Sequence, residues 1–227
     1  MTVSAIRNQL ISNLRNNIFV TDKTGVKTVE ILNAAFIADE PVIFGNLNHD
    51  YIDRELAWYK SMSRNVNDIP GGPPEIWKMV ATPDGYINSN YGWCIWSDEN
   101  NNQYTNVLDE LKRNKDSRRA TMIYTRPTMH IDYKLNGMSD FMCTNTVQYL
   151  VRDNKLHSLV YMRSNDAVFG FKNDYAWQDH VLQSLAKELD IQPGNIHWNV
   201  ASLHVYERHF KLMEDECSKN GQLDMFS

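Results

Sequence analysis

The sequence predicts an α+β fold, formed by a single domain over residues 1–227. The chain is 227 residues long, a length that suits one large domain. Segments with helical and strand periodicity follow one another without the regular alternation of a doubly wound sheet. No repeat, low-complexity stretch or change in composition marks a boundary between domains.

The first part of the chain predicts helices around one strand. Apolar residues recur at helical spacing in the first 16 residues, and the β-branched run VKTVEILNAAFI predicts a strand, or two strands with a bend. DYIDRELAWYKSMSRN carries its apolar residues on one face and predicts a second helix. The prolines and glycines of DIPGGPPEIW predict a loop that leads into a short helix from Glu75 to Val80.

The second part predicts alternating elements of both kinds. NNNQYTNVLDELKRNKDS predicts a helix and then a basic loop, and RRATMIYTRP predicts a strand ended by its proline. The polar pair Asp153-Asn154 predicts the turn of a β-hairpin. NDYAWQDHVLQSLAKELD predicts an amphipathic helix with Asn173 or Asp174 as its N-cap. GNIHWNVASLHVYERHF predicts a last strand, and the tail from about Lys211 is polar and weakly patterned.

Composition excludes several classes of function. The net charge of −5 provides no global basic field for direct nucleic-acid binding. Three cysteines without a CxxC pair predict neither a disulfide framework nor a cysteine zinc site, and the seven histidines show no metal-ligand spacing. These spacings lead us to expect no metal. No basic leader or apolar stretch of membrane-spanning length occurs, so we expect a cytoplasmic protein without a membrane contact.

The predicted hairpin brings a cysteine and an arginine together. With a two-residue turn Cys143 faces Ser164, and with a three-residue turn it faces Arg163; facing Cβ atoms lie about 5 Å apart. A guanidinium at that distance lowers a thiol pKa and favours the nucleophilic thiolate. The alternative is that Cys143 is a small buried strand residue and Arg163 a solvated edge residue.

Other candidates also have two readings. Glu55 is either a carboxyl held against aromatic rings, with a raised pKa, or an exposed helix acid paired with Lys60. The basic run KRNKDSRR either clamps a phosphate or is a solvated loop. His204 and Tyr206 project from one strand face and either hold a ligand hydroxyl or pack in the core.

The order of these signals along the chain resembles the thymidylate synthase family. The matching pieces are DKTGVKT, RELAWY, NYGW, DSRRATM, CTNTVQYL, MRSNDAVFG and LHVYERHF, which span roughly Asp22 to Phe210. The resemblance implies a thymidylate synthase-like fold, with one mixed β-sheet, flanking helices and a sheet face used for dimerisation.

The resemblance also implies a role for each matching residue. Cys143 is the nucleophile, Glu55 orders water and relays protons, Tyr91 lies near the nucleophile, and Asp174 meets the base. A one-residue slip would place Asn173 on the base instead. The residues implied in binding the nucleotide are Lys23, Arg118, Arg119, Arg163, Ser164, Asn173, His204 and Tyr206.

Several of these roles are specific. Arg163 binds phosphate near the sulfur, and Arg118 and Arg119 reach across a homodimer to the neighbour's phosphate. Lys23 stands where synthases carry another phosphate-binding arginine. The sugar 3′-hydroxyl is held by His204 and Tyr206, while Asp166 lies on the folate side.

Within the family, the chain resembles the branch that hydroxymethylates deoxycytidylate (dCMP) in T-even-like phages, as YTRP, CTNTVQYL and FGFKNDYAWQ indicate. The implied reaction converts dCMP, 5,10-methylenetetrahydrofolate and water to 5-hydroxymethyl-dCMP and tetrahydrofolate. The alternatives are a dCMP methylase, a thymidylate synthase, or a non-catalytic relative that binds a nucleotide or a partner. A cysteine hydrolase is disfavoured because no orienting histidine motif is evident. Membership of a phage nucleotide-synthesis complex is left open, as is how the tail DECSKNGQLDMFS caps the site.

Overall fold

A computed structural model describes residues 1–22 and 24–219, without the side chains of residues 217–219. The helices within these residues are α1 (Val3–Arg15), α2 (His49–Ser61), α3 (Glu75–Val80), α4 (Tyr91–Trp96), α5 (Gln103–Arg113), α6 (Met129–Asp132), α7 (Gly170–Glu188) and α8 (Phe210–Lys219). The strands are β1 (Val20–Thr21), β2 (Lys27–Ile37), β3 (Thr121–Ile123), β4 (Thr144–Arg152), β5 (Lys155–Asp166) and β6 (Gln192–Tyr206). Helices and strands mix without regular alternation, which confirms the α+β prediction.

The described strands form one sheet in the order β1-β2-β6-β5-β4-β3. The pairs β1/β2, β2/β6 and β3/β4 are antiparallel. β5 and β6 are neighbours joined by α7, and a helical crossover of this kind joins parallel strands. Contacts at both ends of this pair support a parallel arrangement. At the carboxyl ends, the Ala167 N–H donates to the His204 carbonyl at 2.9 Å, and at the amino ends, Gly194 packs against the ring of His157. The sheet is therefore mixed, as expected.

The turn between β4 and β5 lies at Asp153-Asn154, as the sequence predicted, and of the two lengths left open it has the two-residue one. Asp153 and Asn154 have φ values of 51° and 56°. Positive φ at both central residues is the geometry of a type I′ turn, which matches the twist of the flanking strands. Asp and Asn tolerate this left-handed region better than most residues, so the local sequence fixes the hairpin.

The chain divides into two compact units. The first contains Met1–Leu47, Met162–Asp179 and Asn195–Ser227, and the second contains Asn48–Tyr161 and His180–Gly194. In the first unit Ile6 and Leu10 of α1 are fully buried, and the rings of Phe171 and Trp198 meet edge to face at 5.1 Å. Burying such side chains contributes roughly 1.5–3 kcal/mol each.

The core of the second unit is aromatic. The ring of Tyr91 lies 5.3 Å from that of Tyr59 and 5.3 Å from that of Tyr124, and all three residues are buried. Gly92 makes this possible, because a Cβ there would lie 1.8 Å from the carbonyl oxygen of Tyr59. The close approach of α2 and α4 therefore depends on a glycine at this position.

Three predicted boundaries are wrong. The helix α7 begins at Gly170, so Asn173 and Asp174 lie inside it and neither is its N-cap. The strand predicted over RRATMIYTRP covers only Thr121–Ile123. It ends before its proline because the N–H groups of the next two residues, 124 and 125, both point to the Asn145 carbonyl and break the ladder.

The third wrong boundary is the end of the last strand, predicted over GNIHWNVASLHVYERHF: β6 ends at Tyr206, and α8 begins at Phe210 in a stretch for which the sequence predicted no element. The reason is two apolar contacts: Met213 is fully buried, and the Phe210 ring stacks on Phe19 at 5.4 Å. No helix in the described ranges combines the length and the apolar character needed to cross a bilayer.

Candidate active site

Glu55 lies in a buried polar cluster of the second unit. It sits on α2 at 5% exposure, so the alternative of an exposed acid paired with Lys60 is wrong. Its Oε1 accepts a hydrogen bond from the Tyr51 hydroxyl at 2.5 Å and from the indole N–H of Trp77 at 3.1 Å. The same indole N–H lies 2.9 Å from the Tyr51 oxygen.

Burial raises the pKa of Glu55 above its ordinary value, and the hydrogen bonds from Tyr51 and Trp77 oppose that rise. The charged form loses hydration when it is buried, but donors aimed at the carboxylate recover part of that loss. A carboxyl with a raised pKa accepts and releases protons closer to neutral pH than an exposed glutamate. The aromatic environment that the sequence suggested for Glu55 is confirmed.

Cys143 directly precedes β4 and is half-exposed, so it is not the buried core residue of the alternative reading. The next residue, Thr144, is fully buried and donates its hydroxyl hydrogen bond to the Tyr91 oxygen at 3.0 Å. Tyr91 begins α4 and is itself buried. This bond fixes the start of β4, and with it the backbone of Cys143, against the NYGW segment.

A second anchor holds the loop before Cys143. Asp140 is buried, and its carboxylate accepts hydrogen bonds from the backbone N–H groups of Asn88 and Ser89 at 2.7 and 2.8 Å, and from the Ser89 hydroxyl at 2.7 Å. The Asn88 side-chain oxygen accepts from Arg64 at 2.8 Å and from Arg126 at 2.9 Å. These groups tie the residues preceding Cys143 to those preceding Tyr91.

The basic loop after α5 is anchored through Ser117 and exposes the two arginines that follow it. The buried Ser117 donates to Glu110 at 2.5 Å, and Glu110 also pairs with Arg113. Arg118 and Arg119 are exposed, and neither guanidinium donates a hydrogen bond to the residues that the structure describes. They border an open depression of about 460 Å³. Exposed guanidiniums beside a concave surface suit an anionic ligand, although the charge of Arg119 also acts on Glu110.

Asp174 lies on α7 in the first unit and is held by Asn165. The Asn165 amide donates to Asp174 Oδ2 at 2.8 Å. Gly170 leaves the room for this pair, because a Cβ there would lie 3.1 Å from the Asn165 nitrogen. The neighbouring Asn173 has a buried side-chain oxygen without a hydrogen-bond partner among the described residues. Both residues that the sequence placed near a base therefore present acceptor atoms.

The other predicted residues of this unit lie on β5 and β6. Arg163 is exposed and Ser164 half-buried, while Asp166 accepts a hydrogen bond from the Val168 N–H at 2.8 Å. The rings of His204 and Tyr206 meet edge to face, with centroids 4.9 Å apart. Nδ1 of His204 lies 3.3 Å from the Ser202 carbonyl oxygen, an acceptor, which directs the ring proton to Nδ1.

Some predicted residues are brought together and others are not described. His204 lies beside Tyr206, and Tyr91 is linked to the residue after Cys143, whereas Lys23 lies outside the described residues. Among the side chains that the structure describes, no three His, Cys, Asp or Glu residues are grouped as a metal site requires.

Sequence reasoning missed four residues of these clusters. Tyr51 precedes Glu55 by four residues, one helical turn, and this spacing is a usable signal. Trp77, Asn165 and Asp140 reach their partners through the tertiary fold. Asn165 lies inside the matching piece MRSNDAVFG, but no local pattern assigned a role to any of the three. The most informative of these is Asn165, because its amide fixes the orientation of Asp174.

Comparison with known proteins adds to this geometry. The family model described as Thymidylate synthase matches residues 10–224. The chain belongs to the thymidylate synthase family. Within that family it is 59% identical over 229 residues to the deoxycytidylate 5-hydroxymethyltransferase of Enterobacteria phage T4, an alignment that covers 98% of this chain and 93% of the relative.

Two further relatives show the range of the thymidylate synthase family. The deoxycytidylate 5-hydroxymethyltransferase of Enterobacteria phage T2 is 59% identical over 221 residues, which cover 94% of this chain and 90% of the relative. The thymidylate synthase of Francisella philomiragia is 25% identical over 213 residues, which cover 87% and 78%. These relatives are one-carbon transferases by name, so the family membership expected from the sequence motifs is confirmed.

Proposed function

We propose that the chain is a one-carbon transferase that converts dCMP, 5,10-methylenetetrahydrofolate and water to 5-hydroxymethyl-dCMP and tetrahydrofolate. The observation that carries this proposal is the similarity to phage deoxycytidylate 5-hydroxymethyltransferases, at 59% identity over 98% of the chain. The carboxylate of Asp174, in a position prepared by Asn165, supports cytosine as the base.

Base choice follows from the hydrogen-bonding groups of Asp174. Ionised Asp174 accepts from the N4 amino group of cytosine and from N3 once that nitrogen is protonated, whereas uracil O4 would face a carboxylate. The same group therefore attracts cytosine and repels uracil. Asn173, whose side-chain oxygen is buried without a described partner, is the alternative contact and would favour dUMP.

Cys143 is proposed as the nucleophile. Its thiolate adds to carbon 6 of the pyrimidine, which turns carbon 5 into an enamine carbon able to attack an electrophile. Cys143 is partly exposed, which agrees with a residue that must meet a substrate. The phosphate is bound by Arg163, with Ser164 beside it and Lys23 as a further cation.

The sugar and the nucleotide are held from β6. The 3′-hydroxyl is bound by His204 and Tyr206, whose edge-to-face contact fixes both rings. With its proton on Nδ1, a neutral His204 presents Nε2 as an acceptor to a hydroxyl group.

The residues present fit the folate co-substrate. Beside Trp77, the helix α3 exposes two apolar side chains, Ile76 at 61% and Met79 at 70%, and such a surface suits an aromatic pteridine or benzoyl group. When bound, methylenetetrahydrofolate supplies the carbon to be transferred. Asp166 is proposed to bind on the folate side. No metal is needed for this chemistry.

Glu55 and Tyr91 are proposed to manage protons and water. After carbon 5 has taken up the carbon, loss of the carbon 5 proton and expulsion of tetrahydrofolate would leave an exocyclic methylene on the nucleotide. Water must add to that methylene to give the hydroxymethyl group, and Cys143 then leaves carbon 6. A Glu55 carboxylate positions this water and accepts its proton, a contribution of about 10²–10⁴-fold for general base catalysis. Tyr91, linked to Thr144 and so to the nucleophile segment, assists proton transfer at the ring.

We extend the proposal to a homodimer that uses a sheet face. The strands expose large apolar side chains, namely Leu32 at 72%, Ile123 at 55% and Tyr161 at 39%. Exposed apolar surface of this kind suits an interface between protein subunits. The exposed guanidiniums of Arg118 and Arg119 would then reach the phosphate in the neighbouring subunit.

One experiment tests the reaction. The protein is incubated with methylenetetrahydrofolate and with dCMP or dUMP carrying tritium at carbon 5, and tritium release, dihydrofolate and products are measured. Release from dCMP without dihydrofolate is the expected result. Release with dihydrofolate indicates a dCMP methylase or a thymidylate synthase, and no release from either base indicates a non-catalytic binding relative.

A mixing experiment tests the shared site. Cys143→Ser and the double variant Arg118→Ala, Arg119→Ala are each nearly inactive under this proposal. Exchange of subunits forms hybrid dimers in which one site has both the cysteine and the arginines, so about a quarter of the sites are restored. A mixture no more active than its components would contradict donation across the interface.

The remaining expectations are part of the same proposal. Residues 1–227 act as a single catalytic domain. The enzyme works in the cytoplasm of the host cell, without a membrane or a direct nucleic-acid contact. Membership of a phage nucleotide-synthesis complex would be tested by co-purification from infected cells.

A further inference from the structure

Tyr51 and Trp77 form a closed triangle of hydrogen bonds with Glu55. Tyr51 lies one helical turn before Glu55 on α2, and its hydroxyl donates to Glu55 Oε1 at 2.5 Å. The Trp77 indole on α3 lies 3.1 Å from the same Oε1 and 2.9 Å from the Tyr51 oxygen. All three side chains belong to the second unit.

The triangle distinguishes the two oxygens of the carboxylate. Both donors meet Oε1, and no described residue donates a hydrogen bond to Oε2. The rings that carry the donors are themselves fixed, since Trp77 packs edge to face on Trp58 at 5.4 Å and the Arg54 guanidinium lies 5.9 Å from the Tyr51 ring centroid. The Glu55 side chain is therefore held in one rotamer, with Oε2 as the oxygen open to a further partner.

We propose that Tyr51 is a positioning residue, which clamps Oε1 of Glu55 so that Oε2 receives the water that adds to the exocyclic methylene. Tyr51 thereby sets the share of turnover that ends in hydroxymethylated product. This inference rests on the proposed function and adds to it a residue that none of the sequence motifs includes. The effect of Tyr51 passes through Glu55, because its hydroxyl donates its hydrogen bond to Oε1 of that residue.

The charges around Tyr51 agree with a donor that stays protonated. Burial and then the charge of Glu55 raise the pKa of Tyr51, while Arg54 lowers it less. The hydrogen bond from Trp77 also lowers the pKa of Tyr51, without reversing the rise. Tyr51 therefore keeps its proton over the whole working pH range and donates a hydrogen bond to Glu55.

Tyr51→Phe is the variant that tests this inference, because it removes one oxygen and keeps the ring. Tyr104→Phe is the matched control, since the Tyr104 hydroxyl donates to Glu188 at 2.6 Å in the same unit, away from the proposed machinery. For each protein, carbon-5 tritium release from dCMP and formation of 5-hydroxymethyl-dCMP are measured across pH, with an added thiol. The thiol traps unhydrated product: its sulfur bonds to the methylene carbon, the electron pair returns to the ring, and Cys143 leaves carbon 6.

We expect hydroxymethyl-dCMP formation by Tyr51→Phe to fall at least about tenfold while tritium release falls less than about threefold, with thioether making up the difference. The acidic limb of the rate profile shifts to higher pH, because a hydrogen bond to the charged form of Glu55 is lost. In the ligand-free protein, infrared difference spectra should show the same shift for the Glu55 carboxyl, assigned with Glu55→Gln. Tyr104→Phe should match the wild type in all three measurements.

The outcomes separate this inference from the proposed function. If the wild type releases no tritium from dCMP, the function fails, and the infrared titration still decides whether Tyr51 controls Glu55. If the wild type is active and Tyr51→Phe keeps its product ratio and its carboxyl titration, the positioning role is overturned. Should Tyr51→Phe not fold, Trp77→Phe removes the other donor to Oε1 and must shift the same two readouts in the same direction.

Discussion

Replacing Asp174 with asparagine should move the preference of the enzyme from dCMP toward dUMP. Asn165 donates to Asp174 Oδ2 at 2.8 Å, so an asparagine in this position keeps its oxygen toward Asn165. The reverse orientation would place two amide nitrogens, both donors, against each other. The amide group must then present its NH₂ to the base, where the wild type presents an acceptor.

The size of the effect follows from the hydrogen bonds exchanged. Cytosine N4 would meet a donor and lose a hydrogen bond to a charged acceptor, which costs about 1.5–3 kcal/mol. Because a factor of ten corresponds to about 1.4 kcal/mol, kcat/KM for dCMP falls by about 10–150-fold. Uracil O4 gains the donor that it lacks in the wild type, so the dCMP/dUMP ratio should change by about 10²–10⁴ in total.

The assay is the ratio of kcat/KM values for tritium release from carbon 5 of the two nucleotides. Asp179→Asn, on the same helix α7, is the matched control and should leave the ratio unchanged. A ratio in Asp174→Asn that stays within about threefold of the wild type would refute this account of base choice, since a single lost hydrogen bond exceeds that factor. In that case Asn173 becomes the residue that meets the base.

Three further predictions concern Glu55, Gly92 and Asp140. Glu55→Gln should raise Tm at pH 8, because burial raises the pKa of Glu55 and its charged form therefore disfavours the folded state. This gain in Tm should shrink as the pH falls and be absent below pH 4.5, the ordinary pKa of the carboxyl group. A variant with a lower Tm than the wild type at both pH values would contradict this sign. Gly92→Ala should lower the free energy of unfolding by about 3 kcal/mol, because its Cβ meets a backbone oxygen, and an unchanged urea midpoint would argue against that close approach. Asp140→Ala should cost about 3 kcal/mol by leaving buried donors of residues 88 and 89 unpaired, and Glu75→Ala on the surface serves as the comparison.

Local signals allowed most elements to be predicted from the sequence. The short helix Glu75–Val80 has the bounds that its proline-rich leader indicated, and the Asp153-Asn154 turn has the left-handed geometry that these residue types tolerate. In both cases the decisive energy lies within a few neighbouring residues. The start of α7 was misplaced by four or five residues, because an Asn-Asp pair suits a cap and no local signal shows that the helix already begins at Gly170.

The polar clusters could not be predicted in the same way. Asn88 and Asp140 are 52 residues apart, and their hydrogen bonds exist only because the tertiary fold brings two loops together. The burial of Glu55 has the same origin, since Trp77 covers it from another helix. Sequence motifs indicated which residues matter in the thymidylate synthase family, but the partners that set their orientation and protonation follow only from the packed structure.

The charge of Glu55 is difficult to explain by folding alone. A glutamine at this position would still accept hydrogen bonds from Tyr51 and Trp77 through its amide oxygen, and it would avoid the loss of hydration that raises the pKa of the carboxyl. The triangle therefore needs an acceptor but not an anion. An anion is needed only if Glu55 takes a proton from another group, and water that adds to the exocyclic methylene is a donor of the required kind. The stability that the chain loses at Glu55 is thus what the proposed hydration step would require.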